Sequence, residues 1–184
     1  MSQNYEISPT PILFAGNRLA FRTWDPSDLE SFSQMNADAE TMQFFQHPIS
    51  KKKSQALMDR MNKLFSDRGH CYFAVELLEN REFLGMIGLG IKSFKASFTP
   101  CVDVGWRIRK KFWNQGYATE GAGRCLEFAK ELNIKEVYSL ASSKNQASIR
   151  VMQKIGMEYE FDFEHPDLLE HPKLQPCSLY KILL

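Results

Sequence analysis

The chain has almost no net charge. Lys and Arg number 23 against 22 Asp and Glu, a formal balance of +1 over 184 residues. Such a balance gives no general pull toward nucleic acid or an anionic membrane, so neither is expected as a partner. Long apolar runs are missing too: nothing approaches the roughly 18 uninterrupted apolar residues of a membrane-spanning helix. The first eleven residues, MSQNYEISPTP, hold no basic region followed by an apolar one, so no secretory leader is expected and a cytoplasmic location is. Cysteine is sparse. Cys71, Cys101, Cys125 and Cys177 form no Cys-x-x-Cys pair, and no His–His or His–Cys pair sits at metal-ligand spacing. A dense disulfide framework and a closely spaced zinc site are thereby excluded; reduced, mostly buried thiols and no bound metal are expected. His47, His70, His165 and His171 fall near expected loops and read as surface or turn histidines.

What remains is enough for one domain with its own core. Hydrophobic residues make up 43% of the chain, too many for extended disorder. No internal repeat, low-complexity tract or linker divides residues 1–184, although 1–17 read as a loose lead-in. The first strand signal is Leu19 to Trp24. Asp25-Pro26 then opens a helix over about 26–37, with Leu29, Phe32 and Met35 on one face. A short helical piece is expected from Ala39 to Phe45. Ser50 starts a longer helix that Gly69 stops. Residues 72–77 and 83–89 read as a hairpin, and 102–108 alternates again. From Lys110 to Leu132 the period becomes helical. A short strand at 137–141, a helix at 148–155, and strands at 157–163 and 178–183 complete the chain. This is an α+β domain: a mostly antiparallel mixed sheet of six to seven strands, with a strand–helix–strand unit in the middle and helices on both faces.

The informative stretch joins strand 102–108 to the helix after it: Arg109-Lys110-Lys111-Phe112-Trp113-Asn114-Gln115-Gly116-Tyr117-Ala118-Thr119-Glu120-Gly121. A strand, a glycine turn and a helix start form an anion cradle. The first N–H groups of a helix have no partner within it, and its dipole places about half a positive charge there. A bare backbone at Gly116 lets an anion come close, and a pyrophosphate fits best. Arg107, Arg109, Lys110 and Lys111 supply positive charge upstream. Gly121 and Gly123 inside the helix each cost about 0.8–1.0 kcal/mol relative to alanine, which suggests close packing against them. No Gly-x-Gly-x-x-Gly or Walker-type loop competes for the assignment. A plain strand-to-helix connection is the alternative reading of the same residues.

Three blocks in order carry a family resemblance. They are Arg18-Leu19-Ala20-Phe21-Arg22 followed by Trp24 and Asp28, then Val104-Gly105-Trp106 with Trp113 to Glu120, then Asn145 to Met157. The chain resembles the GCN5-related N-acetyltransferases (GNAT), in particular the branch that includes the ribosomal-protein N-terminal acetyltransferases RimJ and RimL. The wider family carries Gln or Arg, two residues, Gly, one residue, then Gly or Ala; here Trp113, Gly116 and Ala118 stand in those places. The resemblance implies the GNAT fold and acetyl-CoA as co-substrate. It implies direct transfer of acetyl to a primary amine, on a protein N-terminus or a small molecule, through a ternary complex. Backbone N–H groups from Gln115 to Thr119, with Trp113, Asn114, Gly116, Tyr117 and Ala118, would hold the pyrophosphate. The strand end Trp106, Arg107 and Ile108 would pair with the pantetheine arm, and Asn145 would bond that arm from across the cleft.

Many relatives place a thiolate-protonating tyrosine seven residues after this asparagine. That position is Met152 here, so Ser148, three residues after Asn145, is the candidate partner of the sulfur. A serine that only caps its helix is the other reading. Asp103 is the candidate base; a structural ion pair is its alternative, and Glu76 and Glu160 are weaker alternates. An ordinary aspartate, with pKa about 3.9, would need burial or a water relay to act as a base. No cysteine is needed as a nucleophile. Phe44, Phe45, Phe94 and Phe98 would flank the acceptor cleft in this fold; core packing is the favoured reading for most of them, and lining an amine channel is the alternative. A non-catalytic acyl-CoA-binding domain and a nucleotide site at the same helix start are the competing functions, and the chain is expected to be a monomer or a homodimer.

Overall fold

Every segment expected to alternate forms a strand in the computed structural model, which describes residues 10–184. In chain order the elements are β1 (Phe14–Ala15), β2 (Leu19–Arg22), α1 (Leu29–Ala37), α2 (Lys51–Arg68), β3 (Tyr72–Leu77) and β4 (Phe83–Lys92). They continue with β5 (Cys101–Ile108), α3 (Tyr117–Glu131), β6 (Glu136–Ser142), α4 (Gln146–Lys154), β7 (Glu158–Glu164) and β8 (Pro176–Leu183). The strands form one sheet in the order β1-β2-β3-β4-β5-β6-β8-β7. All neighbours are antiparallel except β5 and β6, joined through α3.

The sheet has eight strands rather than six or seven, and the lead-in is where the count differs. Residues 1–9 of that lead-in lie outside the described residues. Beyond them, Leu13 N–H bonds Phe21 C=O and Gly16 N–H bonds Leu19 C=O, both at 2.8 Å. The ring of Phe14 is what holds this short edge down. It stacks on Phe21 at 4.5 Å and on Phe128 of α3 at 4.3 Å. An isolated two-residue strand would be marginal; aromatic burial stabilises this one.

The helix starts follow their caps. The Asp25 side chain accepts from Ser27 N–H and the Asp28 side chain from Asp25 N–H, a reciprocal cap before α1. Ser50 caps α2, and Gly69, with φ +75°, ends it. The helix expected at 39–45 is instead a chain of turns. Asp38 Oδ2 accepts from the N–H and hydroxyl of Thr41 at 2.8 and 2.6 Å. This side-chain bonding competes with a helical ladder and bends the backbone.

Two observations assign the faces of the sheet. Arg107 on β5 donates to Asn36 of α1 at 2.6 Å, so α1 covers the face that carries Asp103, Gly105 and Arg107. On the other face, a Cβ added at Gly121 of α3 would lie 2.4 Å from Ile87 and 3.2 Å from Leu19. Here the expected close packing is real. At Gly123 nothing lies within 4 Å, so the expectation fails there.

Candidate active site

Between β5 and α3 the backbone makes the turn that the sequence motif demands. Lys110–Phe112 form a short 3-10 turn, Asn114 takes φ +60°, and Gly116 takes φ +82° as the residue before α3. Glycine suits that left-handed position; a β-branched residue would be strained in it. The first intrahelical bond is Glu120 N–H to Gly116 C=O at 3.0 Å. The N–H groups of Tyr117, Ala118 and Thr119 therefore have no helical acceptor. Trp113 is part of the scaffold: its indole N–H donates to Ile108 C=O at 2.8 Å and ties the turn to the strand end. Gln115 turns its side chain back to Lys111 C=O at 2.9 Å.

Arg18 braces this corner from 97 residues away. Its guanidinium lies 4.3 Å from the centre of the Tyr117 ring, and it donates to Gln115 C=O at 3.1 Å. Glu120 accepts from both the backbone and the side chain of Arg18 at 2.7 Å. The upstream cations expected to charge the cradle are spent elsewhere. Lys110 pairs with Glu40, Lys111 with Glu82, and Arg109 with Glu82 at 3.6 Å. Arg107 points to the opposite face. The corner therefore attracts an anion through its free backbone N–H groups and the helix dipole.

The sheet opens beside this cradle. Parallel pairing of β5 with β6 is confined to Asp103 opposite Tyr138. One step further the Ser139 hydroxyl, rather than a strand N–H, donates to Val104 C=O at 2.9 Å. Backbone groups alternate sides along an antiparallel strand. Arg109 N–H bonds Leu84 C=O, and Arg107 sits opposite Met86, so the odd-numbered residues of β5 face β4. The even-numbered ones face the gap. Ile108 C=O is taken by Trp113, which leaves Ile108 N–H and both backbone groups of Trp106 free to pair with an extended chain. Of the three residues expected to hold such a chain, Trp106 and Ile108 present their backbones to it and Arg107 does not.

Across the gap stands the start of α4. Asn145 caps it, its side-chain oxygen accepting from Ser148 N–H at 3.1 Å. The amide nitrogen of Asn145 has no partner among the described residues and is free for a ligand. Ser148 is half-buried, and among the described residues its hydroxyl has no partner, so the capping alternative does not describe it: it receives the cap at its N–H. The tyrosine position is filled by Met152, buried in the core.

The profile of the acetyltransferase (GNAT) domain family matches residues 18–158. The chain belongs to that family. It is 26% identical over 148 residues to the uncharacterized N-acetyltransferase YnaD of Bacillus subtilis, an alignment covering 80% of this chain and 83% of YnaD. In fold it matches a GNAT-family acetyltransferase from Bacillus anthracis with a TM-score of 0.75 and 24% identity, covering 92% of this chain and 96% of that one. It also matches RimL, the ribosomal L7/L12 α-N-protein acetyltransferase in complex with coenzyme A, with a TM-score of 0.76 and 15% identity, covering 95% and 98%. The enzyme is thus an N-acetyltransferase of the GNAT fold.

On the α1 face of β5 this GNAT domain carries a polar cluster. Asp103 is buried, and both its oxygens accept from the Tyr72 hydroxyl, at 2.8 and 2.7 Å. Lys92 donates to that hydroxyl at 3.1 Å and lies 3.5 Å from Asp103. Burial, then the charge of Asp103, pushes the Tyr72 phenol well above its ordinary range, so Tyr72 stays protonated at neutral pH. Glycines make the room: a Cβ at Gly90 would sit 2.6 Å from the Tyr72 ring and 2.8 Å from Asp103. The ion-pair alternative for Asp103 is what the geometry shows. Of its two alternates, Glu76 is buried in ion pairs with Arg22 and Arg81, and Glu160 is exposed on β7.

The sequence reading gave no role to Tyr72, Lys92, Asn36 or Glu120. Glycines at 88, 90 and 105 within strands were the available signal, because a strand glycine marks a close approach. Of the aromatic residues assigned to the cleft, Phe45 covers Arg107, while Phe94 and Phe98 pack with Phe163 and His165. His70 is buried in its turn rather than exposed, with Nδ1 3.0 Å from Leu89 C=O. Among the described residues no cluster of three metal-ligating side chains occurs, and no helix is long and apolar enough to cross a membrane.

Proposed function

We propose that this enzyme transfers acetyl directly from acetyl-CoA to a primary amine within a ternary complex. The observation that carries the reading is the pairing of two unsatisfied backbone surfaces. The N–H groups of Tyr117 to Thr119 suit a pyrophosphate, and the free edge of β5 at Trp106 and Ile108 suits the amide-bearing pantetheine arm. Asn145 adds its amide N–H₂ from α4.

The amine lone pair attacks the thioester carbonyl carbon. The C–N bond forms, and the carbonyl electrons move to an oxyanion that the Trp106 N–H stabilises. Collapse breaks the C–S bond and expels the thiolate, to which the Ser148 hydroxyl donates a hydrogen bond. The amine, entering uncharged, loses one N–H proton to water, and the thiolate takes one from water to leave as the free thiol. Asp103 is engaged by the Tyr72 hydroxyl and by Lys92, so its part is to hold and polarise those groups rather than to touch the amine.

Calorimetric titration with coenzyme A and with ATP tests the cradle, and thiol release from acetyl-CoA over a panel of amines and N-terminal peptides tests the reaction. Tight coenzyme A binding and amine-dependent thiol release are expected. A preference for ATP would overturn the assignment.

A further inference from the structure

Arg107 is a cation without an anion. Among the described residues, Arg18, Arg22, Arg81, Arg109 and Arg124 each pair with a carboxylate. The arginines without one, apart from Arg107, are Arg60, Arg68 and Arg150, and all three are exposed to water. Arg107 is not exposed. Its Nη1 donates to Asn36 Oδ1 at 2.6 Å, the Phe45 ring lies 4.2 Å from its Cζ, and its Nε is sealed from solvent with no partner. Burial pulls the guanidinium down to about 10, with Tyr72 pulling the other way. A half-buried guanidinium with a sealed, unpaired Nε is costly unless something supplies the missing partner.

The free donors have a specific shape. Asn36 occupies Nη1 and fixes the plane of the group, so Nε and Nη2 form one unpaired edge. Two parallel N–H groups on one edge are what a carboxylate accepts side-on. The position is also specific. Arg107 is one residue from Trp106, whose backbone faces the opening, but on the sheet face opposite α3. The coenzyme's pyrophosphate, held at the start of α3, lies on the other side of the sheet. Lys92 is already engaged by Asp103 and Tyr72, so one unmatched positive charge stands here, which suits one carboxylate better than a phosphate dianion.

We propose that Arg107 binds a carboxylate of the acceptor, so the substrate is a small amine that bears a carboxylate, as amino acids do. This rests on the acetyl-transfer reading above, and its test is separable from that reading. In the coenzyme A-bound protein, the ¹⁵N signal of the Arg107 Nε–H, assigned with Arg107→Lys, is followed while α-, β- and γ-amino acids and their carboxamides are added. A saturable shift with acids and none with amides is expected. In turnover, Arg107→Gln should raise KM for the acid at least tenfold and leave that for the amide within twofold, with Arg107→Lys restoring part of the loss. The proposal is overturned if no carboxylate moves the Nε–H signal. An equal effect of Arg107→Gln on acid and amide, the mark of a mere latch for α1 and Phe45, overturns it too, as does a response to phosphate-bearing amines alone. Failure to bind coenzyme A would sink the acetyl-transfer reading, while the same Nε–H titration on the protein without coenzyme A would still decide the role of Arg107.

Discussion

At the scale of single residues, the site separates into groups whose roles are set by near neighbours and groups set by distant ones. Gly116 belongs to the first kind. Its φ of +82° can be expected from a glycine between a strand and a helix start, and the sequence pattern exposed it. Gly116→Val should weaken coenzyme A binding at least tenfold in calorimetry, because a β-branched residue strains the left-handed turn and covers the approach to the N–H groups. Unchanged affinity would mean the cradle is not used. Ser148 shows the limit of such reading. Its spacing from Asn145 marked it, but only the structure shows that its N–H, not its hydroxyl, serves the cap. A hydrogen bond to a charged sulfur is worth about 1.5–3 kcal/mol, or roughly 10–100-fold in rate. Ser148→Ala should therefore lower kcat by that factor with KM for acetyl-CoA nearly unchanged; an equal loss in affinity would mark structural damage instead. Arg107 and Tyr72 were illegible in their roles because their partners, Asn36 and Asp103, lie 71 and 31 residues away.

At the scale of elements, α3 illustrates why periodicity alone is incomplete. Its apolar stripe, Ala122, Cys125, Leu126 and Ala129, is buried as the spacing requires. Two glycines sit in the same helix with opposite surroundings, and sequence cannot separate them because both cost the same in propensity. At Gly121 an alanine methyl would strike Ile87 and Leu19, both fully buried and unable to swing away. At Gly123 it would meet open space. Denaturant unfolding should show Gly123→Ala stabilising the domain by about 0.8–1.0 kcal/mol, the intrinsic helix preference. Gly121→Ala should destabilise it by roughly 1–2 kcal/mol as overpacking outweighs that gain. Equal effects would refute the packing of α3 on β4. The turns at 39–45 were misread for a related reason. Met42, Phe44 and Phe45 suggest a short helix, but Asp38 satisfies the backbone locally and leaves Phe45 free to lie over Arg107.

At the scale of the molecule, the two substrates are proposed to lie on opposite faces of the sheet and to meet only where β5 and β6 part. The helix start that suits the coenzyme is on the α3 side; Arg107, Tyr72 and Asp103 are on the α1 side. The arrangement proposed would need both ligands present together and no acetylated intermediate. The thiols agree with this. Cys71, Cys125 and Cys177 are buried, and burial pushes the first two far above the ordinary thiol range and Cys177 up to about 11. Cys101 is half-buried and also raised to about 11, by burial and then by the nearby charge of Asp103. A thiol at that value is protonated at neutral pH and is a poor nucleophile. Initial rates at varied acetyl-CoA and amine should therefore give intersecting rather than parallel double-reciprocal lines. Protein incubated with acetyl-CoA alone should gain no acetyl mass, and Cys101→Ser should keep full turnover. Parallel lines with an acetylated Cys101 would show that the group travels through the protein, and the direct encounter across the sheet would be wrong.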